Sequence, residues 1–115
     1  MDKKVLSAVV FSAATLSLAF LNVPAMASNK HVSEAVQHAN EAVEHGKQGH
    51  ADVLAKHAES ALKHAEMAQK DLKGNAHVDE GVKGLKDAVK HAKAGHADEG
   101  TKAAESAVMH LSEAK

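Results

Sequence analysis

Ten of the 115 residues are histidine. Near neutral pH an imidazole can shuttle a proton, switch its charge, or donate a nitrogen lone pair to a metal ion. Spacing helps to choose among these. His31, His38 and His45 recur at every seventh position, as do His50, His57 and His64. His77 and His91 flank Gly84 at the same interval, and His96 and His110 flank Ala103. Seven residues of α-helix return to nearly the same face after a rise of about 10.5 Å. Such a row is too widely spaced for two members to share an ion whose nitrogen donors lie about 2.0–2.1 Å from it. A shared ion requires a second row facing the first.

The chain supplies that second row by repetition. Positions 31–69 align without a gap onto 77–115, with EAVEHGKQGHADVLAKHAESALKH matching DAVKHAKAGHADEGTKAAESAVMH. Each copy has apolar residues at helical spacing: Val32, Ala35, Val36, Ala39, Ala42 and Val43, then Ala51, Leu54, Ala55, Ala58, Ala61, Leu62 and Ala65. Alanine is abundant and no proline follows Pro24, so helix has little local competition. Breaks fall at Gly46-Lys47-Gln48-Gly49, at Gly74-Asn75 and around Gly95, where glycine ends one helix and Gly or Asn caps the next. The expected helices are 30–45, 50–72, 76–93 and 96–114. Gly95 is the weakest break, because a lone glycine can also merely bend a continuous helix. Interior Gly81, Gly84 and Gly100 predict a looser second hairpin. Short connections make successive helices antiparallel, which predicts an all-α, up-down four-helix bundle of two duplicated hairpins.

Heptad letters that place Val32, Ala39, Ala51, Ala58, Val78, Leu85, Ala97 and Ala104 at a place all ten histidines at g, on the edge of the apolar stripe. Facing positions in an antiparallel hairpin have numbers with a constant sum. His45/His50, His38/His57 and His31/His64 share one sum, and His91/His96 and His77/His110 share another. The histidines should therefore meet in rungs across each hairpin, with Gly84 and Ala103 at the absent rung. Two imidazoles leave a divalent ion short of donors. Glu34, Glu41, Glu80, Asp87, Glu99 and Glu113 lie one turn from a histidine and can assist, with water completing the set. Imidazole and carboxylate suit copper(II), nickel(II) and zinc(II), and the Irving–Williams order puts copper(II) first. Met67 and Met109 lie off the row and read as filler rather than as copper(I) ligands.

Composition narrows the classes further. Cysteine is absent, so neither disulfides nor thiolate sites are available. Fourteen basic residues, all lysine, against fifteen acidic ones argue against nucleic acid as a partner. Lys3 and Lys4, the apolar run Val5 to Leu21, and Pro24-Ala25-Met26-Ala27 have the layout of a secretory signal cleaved after Ala27. Residues 1–27 are then a signal peptide and 28–115 a single histidine-rich four-helix domain. We expect an exported periplasmic protein, monomeric, with no membrane insertion after cleavage. Phe11 and Phe20 leave with the signal, so the remaining core of Ala, Val and Leu should need help from a ligand, metal or partner. Ser60 and Ser106 precede His64 and His110 by one helical turn, but nothing nearby suggests an oxyanion hole, and no enzyme is expected.

The competing interpretation is a structural or pH-responsive helical envelope protein with incidental histidines. Duplication copies a heptad together with its histidine, and facing imidazoles repel one another once protonated. Lysine, abundant elsewhere, occupies no site of the row, which favours a role for imidazole itself. With heptads such as EAVQHAN, EAVEHGK and ESALKHA, a leader-like segment and no cysteine, the chain resembles the small metal-binding protein family of ammonia-oxidising bacteria. The resemblance spans residues 28–115. It implies a periplasmic four-helix bundle that takes up several divalent ions, copper(II) preferred, in buffering or scavenging. Its histidine heptads map onto His31, His38, His45, His50, His57, His64, His77, His91, His96 and His110, and Gly84 and Ala103 depart from the pattern.

Overall fold

The computed structural model describes residues 29–114. The expected signal peptide, residues 1–27, lies outside the described residues. Four helices follow one another: α1 Lys30–Lys47, α2 Ala51–Asp71, α3 Ala76–Lys93 and α4 Ala97–Ser112. They form two antiparallel hairpins, α1/α2 and α3/α4, with α2 packed on α3 and α1 on α4 to close the bundle.

Starts and stops are built alike in the two copies. The Asn29 carboxamide oxygen accepts hydrogen bonds from the backbone N–H of His31 at 2.8 Å and Val32 at 3.2 Å. Asn75 does the same for His77 at 3.0 Å and Val78 at 3.1 Å. Each carboxamide thus satisfies two of the donors that a helix start leaves unpaired. Gly49 and Gly95 adopt φ of 83° and 85°, left-handed values that favour glycine. The N–H groups of Gly49 and His50 bond back to the carbonyls of Gly46 and His45, at 2.9 and 3.0 Å. Gly95 and His96 repeat this on Ala92 and His91, at 3.0 and 2.8 Å. Both are Schellman motifs, so Gly95 makes a true turn rather than a bend. In this motif the two residues joined by the bond that spans five positions draw their side chains together, and in both hairpins those residues are histidines.

Alanine dominates the core, with Leu54, Leu85, Leu111 and Val78 the largest side chains fully enclosed. Small residues receive these leucines. A Cβ on Gly81 would stand 2.5 Å from Leu111 Cγ, and one on Gly100 would stand 3.2 Å from Leu54 Cδ1. A Cβ on Gly46 would meet Leu54 Cδ1 at 2.6 Å and overlap the Thr101 hydroxyl. The glycines of the second hairpin, read from sequence as a source of looseness, are thus points of close approach. Thr101 is buried and donates its hydroxyl hydrogen bond to the Ala97 carbonyl at 2.7 Å. Two equivalent ion pairs, Lys47–Glu105 at 3.4 Å and Lys93–Glu59 at 2.6 Å, tie the hairpins together reciprocally, as in an isologous dimer joined into one chain. Met67 and Met109 are exposed, so neither fills the core as the sequence suggested.

Candidate metal centre

The histidine row lies along one edge of each hairpin. All five expected rungs form: ring centroids are 5.9 Å apart in His31/His64, 6.4 Å in His38/His57 and 6.2 Å in His45/His50. In the second hairpin His77/His110 stand at 6.0 Å and His91/His96 at 6.3 Å. His31, His38, His45, His57, His64, His91 and His110 are half-buried, while His50, His77 and His96 are exposed.

Two further contacts do not follow from register alone. His38 stacks on His64 at 5.4 Å and 5°, and His45 on His57 at 5.2 Å and 3°, closer and flatter than any rung. The cause is the direction of the Cα–Cβ bond, which tilts each helical side chain toward its own N-terminus. His38 leans toward the level of His31 and His64, while His64, on the antiparallel helix, leans toward the level of His57 and His38. The two converge on the diagonal. Counting positions finds the rungs, whereas the diagonals require the side-chain direction as well.

The carboxylates reach across the hairpin as well as along it. Glu34 Oε1 lies 3.0 Å from His64 Nδ1, and Glu41 Oε1 lies 3.3 Å from His38 Nδ1 and 3.2 Å from His57 Nδ1. Donor atoms of His31, Glu34 and His64 all fall within 4.8 Å of one another, as do those of His38, Glu41 and His57. In the second hairpin Glu113 Oε1 approaches His77 Nε2 at 3.6 Å. Glu80, Asp87 and Glu99 belong to neither three-donor group among the described residues. Ser60 lines a surface groove with Lys56, Glu59, Leu62, Lys63 and Glu66, a set that lacks His64.

The Nδ1 atoms of His31, His38, His45 and His64 are buried and take no hydrogen bond. A buried nitrogen without a partner is costly and calls for an explanation. His38 Nδ1 and His64 Nδ1 are within reach of a carboxylate oxygen but out of line with it. A hydrogen bond needs the donor aimed at the acceptor. Ligands of one ion lie within a few ångströms of one another without bonding to each other, and the donor atoms of His31, Glu34 and His64, and of His38, Glu41 and His57, fall within 4.8 Å of one another. An imidazole pair with a carboxylate is a donor set suited to zinc(II), nickel(II) or copper(II).

The absent rung has a steric reason. A Cβ on Gly84 would stand 3.1 Å from Ala107 Cβ and 3.2 Å from the Ala103 carbonyl oxygen, so α3 and α4 are in close contact where the first hairpin holds His38 and His57. The second hairpin exchanges a pair of donors for a tight helix contact.

Fold and site together define an all-α bundle that carries clustered imidazole and carboxylate donors. The chain matches the family model described as small metal-binding protein over residues 3–114, and it belongs to that family. No curated protein matches it. No helix among the described residues is long and apolar enough to cross a membrane.

Proposed function

We propose that this protein works in the periplasm as a carrier of several divalent ions, copper(II) first, for buffering, scavenging or delivery and without catalytic turnover. The observation that carries the proposal is the pair of three-donor groups, His31/Glu34/His64 and His38/Glu41/His57, three of whose histidines keep a buried Nδ1 without a hydrogen bond. His31/Glu34/His64 and His38/Glu41/His57 are the three-donor sites, and His45/His50, His77/His110 and His91/His96 the two-donor sites that water completes. Preference for copper(II) rests on the donor chemistry, since imidazole and carboxylate favour it over nickel(II) and zinc(II) at equal geometry. The leader-like residues 1–27 support export. Calorimetric titration with copper(II), paired with metal analysis, tests the proposal: more than one ion should bind per chain, more tightly than to a scrambled chain of equal histidine content. Equal binding by the two would favour the structural alternative.

A further inference from the structure

The two hairpins differ in one respect that bears on how an ion moves. In the first, the six imidazoles form an unbroken zigzag: His31, His64, His38, His57, His45, His50. Successive centroids are 5.9, 5.4, 6.4, 5.2 and 6.2 Å apart. In the second, Gly84 and Ala103 carry no donor, so His77/His110 and His91/His96 are separate pairs about four helical turns, or about 21 Å, apart.

We propose that the first hairpin is a path along which a bound divalent ion travels from site to site without entering bulk water, whereas the second holds its ions in place. This rests on the metal-binding function proposed above and adds a transfer role to it. Each inner ring has neighbours on both sides. An ion held by His31 and His64 can keep its His64 bond while His38 replaces His31, and then keep His38 while His57 replaces His64. Each step forms one metal–nitrogen bond and breaks one, the Glu34 carboxylate bond is exchanged for one to water and then to Glu41 on the way, and neither electron nor proton is transferred. The widest gap, His38 to His57, is the one that Glu41 spans, with a single oxygen 3.3 and 3.2 Å from the two Nδ1 atoms. A tethered neighbouring donor acts at an effective concentration of about millimolar, far above any free ligand in dilute solution. The path ends at His50, which is exposed and stands at the turn, where a receiving protein could take the ion.

Zinc(II), which is diamagnetic, is the probe, supplied at less than one ion per chain. Nuclear magnetic resonance exchange spectra give the rate at which zinc passes between histidines, and stopped-flow capture by a fluorescent chelator gives its rate of release. Passage through water cannot be faster than release. Along the first hairpin the exchange rate should exceed the release rate by about tenfold or more, as expected for a donor already in place. Between His77/His110 and His91/His96 it should not exceed release. His57→Ala should cut the row between His38 and His45 and bring exchange across that gap down to the release rate. His50→Ala, which removes one histidine but only an end of the row, should leave exchange from His31 to His45 fast. His57→Ala puts a better helix former inside α2, whereas His50→Ala changes the N-cap position of that helix, and circular dichroism checks the fold of both. Exchange no faster than release in the unaltered first hairpin, or equal effects of the two variants, would overturn the path while leaving the sites intact. A failure of zinc to bind the histidines at all would instead refute the function on which it rests.

Discussion

The double substitution Gly84→His with Ala103→His restores the missing rung and sets two effects of opposite sign against each other. A Cβ at 84 would press on Ala107 Cβ at 3.1 Å and on the Ala103 carbonyl oxygen at 3.2 Å, and backbone cannot swing aside as a flexible side chain does. Overpacking of this kind costs about 1–3 kcal/mol, while replacing an interior glycine by histidine returns about 0.3 kcal/mol of helix propensity. For a domain of this size, a net loss of about 1–2 kcal/mol lowers Tm by roughly 5–15 °C. An ion that binds only the folded rung at a hundred times its Kd contributes about 2.7 kcal/mol. The metal-free double variant should therefore melt below the parent, and the copper-loaded variant should recover to the loaded parent or above it. Capacity should rise by about one ion, and the gain should exceed the sum of the two single variants, since both imidazoles act on one ion. Differential scanning calorimetry with and without chelator, together with metal analysis, reads both effects. Equal, additive gains from the two singles would refute pairing across the hairpin. An unchanged metal-free Tm would refute the close approach of α3 and α4.

Further outcomes follow from the same contacts. Gly46→Ala should lower stability by about 1–3 kcal/mol in chemical denaturation, against the usual gain for a helical glycine, because the new methyl would overlap the Thr101 hydroxyl and crowd Leu54. Asn75→Ala should cost about 1 kcal/mol by removing the acceptor for the N–H groups of His77 and Val78. The same change should weaken ion binding at His77/His110 more than in the first hairpin, measured by site-resolved titration. Copper(II) should raise Tm of the parent with the logarithm of its concentration, and chelator should reverse the shift. A Tm indifferent to saturating copper would mean that the sites do not depend on the assembled bundle.

Much of the bundle is legible in the sequence because its signals are local and repeated. Asn75 marks a start, Gly49 and Gly95 mark stops, and alanine at helical spacing leaves no rival to helix between them. The boundaries shift by one or two residues, since α1 continues to Lys47 and α4 ends at Ser112. The rungs are legible because antiparallel register is arithmetic. The diagonal stacks His38/His64 and His45/His57 are not, because they depend on the tilt of the Cα–Cβ bond rather than on position along the helix axis. Nor is the packing role of Gly81, Gly84 and Gly100 visible, since helix propensity prices a glycine by what it lacks and cannot say that Leu111, Ala107 or Leu54 occupies the space. Glu34 and Glu41 are legible as neighbours in their own helix, but their approach to His64 and His57 requires both helices at once. The methionines mislead for a different reason: filler is inferred from side-chain chemistry, whereas the heptad phase puts Met67 and Met109 on the face away from the apolar stripe, where both are exposed.

The central claim is that an ion is held by imidazoles from two helices of one hairpin. Pulsed electron paramagnetic resonance of the protein with one copper(II) per chain counts the imidazole nitrogens bound to the ion. Two or more imidazoles are expected, falling to one when His64→Ala, His57→Ala and His50→Ala remove every α2 member of the first row and Ala103→His is left unmade, provided that His96→Ala and His110→Ala strip α4 as well. One imidazole per copper(II) in the unaltered protein, or a count unchanged when only one helix of each hairpin keeps its histidines, would contradict it.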